Sequence, residues 1–165
     1  MESKQEIEVK YLFNGDSSVY DGVEPKKICQ SYLSMHPETR IRKVTTSSGD
    51  KFYLTTKSEG DVTRDEFETE ISEVVYNELR TKIVGEEIVK TRYNVPICDG
   101  KLIADVDIFE SVDLKTVEVE FSSRQDAERF KPLDWFGKDV TINPAYKNKF
   151  IAMYGLSIIN GEQSA

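Results

Sequence analysis

Thiol and imidazole chemistry is nearly absent from this chain: its 165 residues hold two cysteines, Cys29 and Cys98, and one histidine, His36. The cysteines form no CxxC pair, so neither a zinc knuckle nor a disulfide framework is indicated. Both are expected to be packing residues in a reducing cytoplasm, with His36 solvated in the turn-like Met35-His36-Pro37. No apolar run approaches the length of a membrane span, and Met1-Glu2-Ser3-Lys4-Gln5-Glu6 carries acids where a signal peptide would be apolar. A basic excess is missing too: 22 Lys and Arg stand against 30 Asp and Glu, a net charge of -8. That balance disfavours the broad cationic surface that nucleic acid or an anionic membrane requires, while leaving room for a local cationic pocket. The expectation is a cytoplasmic protein, monomer or homodimer, with no nucleic-acid or membrane partner.

What is present suffices for one core. Hydrophobic residues make up 38% of the chain and charged residues 32%, which argues against wholesale disorder. The length suits a single domain over 1–165, with its core at about 5–155 and a tail, 156–165, expected to fray. Short alternating segments separated by Gly, Asp, Asn and Pro turns predict an antiparallel sheet or barrel. Eight strands are expected near 5–13, 28–34, 38–46, 51–58, 62–71, 86–95, 101–109 and 115–122. Ser72 is placed to cap a helix to about Lys82, with Val74, Val75 and Leu79 on one face, and Ser123 a short one to Phe130. Asn143-Pro144 should start a last helix running to about Tyr154.

Residues two apart on a strand share a face. Glu6, Glu8 and Lys10 therefore lie together, opposite Ile7, Val9 and Tyr11. The same parity joins Arg40 with Arg42, Arg64 with Glu66 and Glu68, Lys90 with Arg92, Asp105 with Asp107, and Glu118 with Glu120; Lys57 closes its own strand. A sheet with one face in water would accommodate any one of these. Repeated like charge within a strand is harder to accept, because two unit charges about 4 Å apart interact by roughly 4 kcal/mol at an effective dielectric near 20. If the charged faces turn inward, an eight-stranded barrel has room for side chains and one small ligand. Its acids are hard oxygen ligands for Mg²⁺ or Mn²⁺ and its lysines and arginines suit phosphate oxygens. A chain of phosphates with a divalent metal would neutralise both sets.

The order of these segments resembles the CYTH superfamily, the triphosphate tunnel metalloenzymes. Glu6-Ile7-Glu8-Val9-Lys10 matches its ExExK strand, Gln30-Ser31-Tyr32-Leu33 is similar to its QxYL segment, and Arg40-Ile41-Arg42 to its RxR strand. Arg64-Asp65-Glu66-Phe67-Glu68 resembles RxExE and Lys90-Thr91-Arg92-Tyr93 the KTRY strand. Asp107-Ile108-Phe109, Glu118-Val119-Glu120-Phe121, Trp135-Phe136-Gly137 and Tyr146-Lys147-Asn148 complete a series covering about residues 5–150. The resemblance implies a closed eight-stranded antiparallel barrel with a few peripheral helices, and is strongest to small bacterial-type inorganic triphosphatases. It implies metal-dependent hydrolysis of the terminal phosphoanhydride of tripolyphosphate. Thiamine triphosphate, nucleoside triphosphates, ATP cyclisation and non-catalytic polyphosphate binding are the alternatives; the histidine-phenylalanine motif usual in the cyclases is missing. By the same resemblance Glu6, Glu8, Glu66, Glu68, Asp107, Glu118 and Glu120 would hold metal. Lys10, Arg40, Arg42, Lys57, Arg64, Lys90 and Arg92 would hold phosphate, and Tyr32 with Lys57 would assist deprotonation of the attacking water. Lys138 and Lys147, outside the parity set, are expected on the surface.

Overall fold

The computed structural model describes residues 3–156; residues 157–165 of the tail expected to fray lie outside the described residues. All eight expected strands form: β1 (Ser3–Phe13), β2 (Pro25–Met35), β3 (Glu38–Thr46), β4 (Gly49–Lys57), β5 (Thr63–Ile71), β6 (Val84–Ile97), β7 (Leu102–Phe109) and β8 (Lys115–Phe121). Antiparallel pairing follows the order β5-β4-β3-β2-β6-β7-β8-β1, and β1 pairs again with β5, so the sheet closes into an eight-stranded barrel. A ninth strand, β9 (Phe136–Asp139), was not expected. It extends β1 at Tyr11 and Phe13, beyond the stretch Ser3–Ile7 that pairs with β5.

Register decides which side of the wall each residue occupies. Glu6 lies opposite Arg64, Lys57 opposite Glu66 and Glu38, Tyr32 opposite Arg40, Arg92 opposite Asp107, and Glu118 opposite both Asp105 and Lys10. Cross-strand partners share a face, so these pairs trace one continuous inner surface. The alternate residues, Ile7, Val9, Val106, Val117, Val119 and Phe121, point outward into an apolar layer. Helix α2 (Arg124–Arg129), β9 and the aromatic rings of Phe130 and Trp135 cover that layer. Trp135 packs edge-on against Phe13. The hydrophobic effect therefore holds this wall from outside, where it buries the apolar face, and leaves the lumen polar.

Helix α1 (Glu73–Arg80) is capped by the Ser72 hydroxyl, which accepts from Val75 N at 3.2 Å. Its barrel-facing residues are Tyr76 and Leu79, not the expected Val74 and Val75, which are 72% and 44% exposed. Tyr76 meets Phe52 with ring centroids 4.9 Å apart; the larger ring fills the groove that two valines would leave open.

The last expected helix is two elements. Asn143 caps a 3-10 turn, Pro144–Tyr146, and α3 (Asn148–Tyr154) starts only after Lys147, whose backbone is extended. Tertiary bonds account for the break: Lys10 Nζ donates to Tyr146 O at 3.2 Å, and Lys147 Nζ to Gly60 O at 3.0 Å. Tyr146, Ile151 and Ala152 then pack with Tyr32, Ile88 and Phe109. That apolar cluster covers the barrel at the end carrying the β2–β3 and β4–β5 turns, opposite the β3–β4 hairpin. Gly85, at φ +70, lets β6 approach α3: an added Cβ would stand 2.5 Å from Ala152 O. Gly85→Ala should cost about 1–3 kcal/mol through backbone strain and this collision, measured as a lower midpoint in urea. An unchanged midpoint would show that α3 shifts freely.

Candidate functional site

A cavity of about 210 Å³ occupies the lumen. Its charges are sorted by strand. Arg40, Arg42, Lys57, Lys90 and Arg92 come from β3, β4 and β6; Glu6, Glu8, Glu66, Glu68, Asp105, Glu118 and Glu120 come from β1, β5, β7 and β8. Lys4, Lys10 and Arg64 intrude on the acidic side, and Glu38 on the basic side. All seven expected phosphate-binding residues line the cavity, as does Tyr32. Six of the seven expected metal-binding acids do as well. Asp107 does not line it. That carboxylate is fully buried behind the basic wall, accepting from Lys90 Nζ at 2.7 Å and from Arg92 Nε and Nη2, each at 2.7 Å.

Nearly every cation is held by an acid. Lys57 Nζ donates to Glu6 at 2.9 and 3.1 Å and lies 3.3 Å from Glu66. Arg64 bridges Glu6 at 3.3 Å and Glu38 at 3.1 Å. Arg42 and the Thr55 hydroxyl donate to Glu68 at 2.8 and 2.7 Å. Lys10 pairs with Glu118 at 3.1 Å, and Lys4 with Glu120 at 3.1 Å. Burial alone would raise the Glu6 carboxyl, but the Lys57 ammonium, a hydrogen bond from Glu66 and Arg64 bring it down to about 2. Glu66 moves the other way, raised by burial and by holding a proton against Glu6. Burial lowers Lys90 to about 8 despite Asp107. Burial and then Arg40 lower Arg42 to about 10.

Glu8 is the exception. Among the described residues no side-chain hydrogen bond or ion pair reaches it, and its cross-strand partner is another acid, Glu120. Burial first, then Glu118 and Glu6, push its carboxyl up to about 8. Among the described residues no three acids, thiols or imidazoles converge closely enough to chelate a cation as they stand. The donor set nevertheless suits a hard cation: carboxylate oxygens, one of them unpaired, on facing strands.

At the covered end Gln30 and Tyr32 are fully buried, and Gln30 Nε2 lies 2.8 Å from Tyr32 Oη. Burial pushes the Tyr32 phenol up to about 12, against the pull of Arg40. Gln30 Oε1 and Arg40 Nε are buried with no hydrogen-bond partner among the described residues. No hydrogen bond among the described residues joins Tyr32 to Lys57.

Several lining residues escaped the sequence reading. Glu38 and Lys4 carry the parity signal, two positions before Arg40 and Glu6, and could have been found by extending each strand. Lys147, expected on the surface, lines the cavity and holds Asp61 at 3.0 Å. It sits in an irregular segment where no period assigns a face.

No family model matches the sequence. The chain is 35% identical over 151 residues to an inorganic triphosphatase of Nitrosomonas europaea, covering 90% of this chain and 97% of that one. It is 29% identical over 148 residues to an inorganic triphosphatase of Acetivibrio thermocellus, covering 87% and 90%. A crystal structure of an inorganic triphosphatase superposes with a TM-score of 0.63 at 33% identity, over 90% of this chain and 94% of that one. A Pyrococcus horikoshii protein, 19% identical over 74% of this chain and 82% of its own, shares the fold at a TM-score of 0.56.

Proposed function

The chain belongs to the inorganic triphosphatase family, and we propose that it hydrolyses the terminal phosphoanhydride of tripolyphosphate inside the barrel. The observation that carries this reading is the sorting of the cavity into a basic wall and an acidic wall. A linear phosphate chain lies along arginines and lysines, while carboxylates facing it across the bore would repel it without a cation between them. Glu6, Glu8, Glu66, Glu68, Glu118 and Glu120 are the residues that would hold Mg²⁺ or Mn²⁺. Bound there, such an ion supplies Lewis-acid polarisation of phosphoryl oxygens and cancels charge on the acidic side. Asp107 takes a different part: it holds Lys90 and Arg92 in place from behind.

In the reaction a water oxygen bonds to the terminal phosphorus, and the proton that the water gives up passes to solvent. The bond from that phosphorus to the bridging oxygen breaks, and its electron pair leaves with diphosphate. Arg40, Arg42, Lys90 and Arg92 position the chain and oppose the charge gathering on the departing oxygen. Lys10 and Arg64, on the acidic side of the bore, and Lys57, on the basic wall, are turned onto Glu118 and Glu6 and would be released toward phosphate if those acids held a metal ion. Tyr32 keeps its proton at neutral pH, which supports a hydrogen-bond donor beside Arg40 more than a base. Lys57, next to Glu6 and Glu66, is the group that would hydrogen-bond and orient the attacking water.

Orthophosphate release from tripolyphosphate, thiamine triphosphate and ATP with Mg²⁺ or Mn²⁺ tests the proposal. Metal-stimulated turnover should be fastest on tripolyphosphate. Cyclic AMP with diphosphate as the major products, or tight binding without turnover, would reject it.

A further inference from the structure

The acids of the lumen differ in what their two oxygens do. Lys57 reaches both oxygens of Glu6, at 2.9 and 3.1 Å. Lys4 and Lys57 take one oxygen each of Glu66, at 3.8 and 3.3 Å, and Lys10 and Arg92 one each of Glu118, at 3.1 and 3.5 Å. Glu68 is held differently. Arg42 Nη2 and the Thr55 hydroxyl both donate to one and the same oxygen, Oε2, at 2.8 and 2.7 Å. Among the described residues no hydrogen bond or ion pair reaches Oε1, although the charge of Arg40 acts on the carboxylate as a whole. The Glu68 side chain lines the cavity and is 32% exposed. One oxygen is thus tied to the wall and the other is left to the lumen.

The two donors are not equivalent. Arg42 lines the cavity and is shared with the phosphate chain. Thr55, the cross-strand partner of Glu68, is fully buried and does not line it, so a ligand in the lumen cannot draw its hydroxyl away. A β-branched side chain is stiff at χ1, and a hydroxyl donating to a carboxylate makes a charge-assisted bond stronger than one between neutral groups. Thr55 therefore keeps Glu68 in place when Arg42 turns to phosphate.

We propose that Thr55 is a positioning residue of the cation site: its hydroxyl holds Glu68 Oε2 against the barrel wall and so presents Oε1 to a divalent ion. The inference deepens the triphosphatase reading and rests on the metal ion in it. Mn²⁺ binding to the purified protein without phosphate, followed by the electron paramagnetic resonance signal of the free ion, tests it. Thr55→Val fills the same volume without the donor and should lose roughly tenfold in affinity. Thr55→Ser keeps the hydroxyl, drops the methyl group and should bind nearly as the unaltered protein does. In a Glu68→Gln background, Thr55→Val should cost nothing further, because both changes act through one carboxylate. A packing role for the methyl group would reverse the ranking of valine and serine. Unchanged affinity in Thr55→Val, equal losses in the two variants, a full additional loss in the Glu68→Gln background, or no Mn²⁺ binding by the unaltered protein overturns the assignment. Should Thr55→Val not fold, Thr55→Ala takes its place against Thr55→Ser with the same expected ranking. Mn²⁺ binding that follows this pattern in a protein releasing no phosphate from tripolyphosphate refutes the hydrolase reading and leaves the role of Thr55 standing.

Discussion

Glu8→Gln is expected to abolish most turnover while leaving the metal-free protein as stable as before or more so. The two effects have one cause. Glu8 faces Glu120 across the β1–β8 pair and has no cation of its own among the described residues, so its charge is a liability until a metal ion arrives. Glutamine keeps the volume and removes the charge. Activity should fall roughly 10²–10³-fold, the loss that follows removal of one group stabilising charge in the transition state. The stability effect depends on pH in a direction that can be worked out. The folded carboxyl titrates near 8, against 4.5 for the ordinary group. Below the ordinary value both states hold the proton. Between the two values the folded state keeps a proton that the unfolded chain has released, so stability falls as pH rises. Thermal melts in chelator across that window should show the decline in the unaltered protein and a shallower one in Glu8→Gln. Near-normal turnover, or a variant less stable than its parent across the window, would remove Glu8 from the cation site.

The charged lumen was legible because strands alternate and because Glu6-x-Glu8-x-Lys10, Arg40-x-Arg42 and Arg64-x-Glu66-x-Glu68 each confine their charges to one parity. Closure was not legible from parity, which an open sheet wetted on its charged face satisfies equally; the resemblance to tunnel proteins supplied it. The position of Asp107 also lay beyond parity. It shares the inner face, yet Lys90 and Arg92 cover it, and side-chain depth within one face depends on three-dimensional packing. The segment 139–149 was the least readable part. Thr141 Oγ1 accepts from Lys10 N at 3.0 Å and Lys149 Nζ reaches Glu38 at 3.5 Å. Such bonds to distant strands set its path, so no local period exists to be read, and helix propensity alone merges two elements into one.

Asp107→Asn should be the most destabilising isosteric change in the barrel wall. It removes the charge that compensates two buried cations, Lys90 at 1% exposure and Arg92 at close range. Lysine can respond by releasing its proton, since burial already lowers it to about 8; arginine cannot. Arg92 would keep only its longer contacts, to Asp105 at 3.3 Å and Glu118 at 3.5 Å, and breaking a buried charge pair costs about 3–5 kcal/mol. In a domain of this size that is roughly 6–20 °C in melting temperature. The sign with pH is opposite to that at Glu8. Burial would raise the Asp107 carboxyl, but Arg92 and Lys90 hold it below the ordinary value of 3.8. Its contribution is therefore present above that value and disappears as pH falls through the depressed one. The deficit of Asp107→Asn should accordingly be largest near neutrality and shrink in acid, where the parent loses the same charge. Adding Lys90→Met should recover part of the loss, because only Arg92, which keeps Asp105 and Glu118, then misses the Asp107 charge, and a double-mutant cycle measures that coupling. A deficit that does not change with pH would mean that the asparagine disturbs packing, and that Asp107 does not anchor the basic wall through its charge.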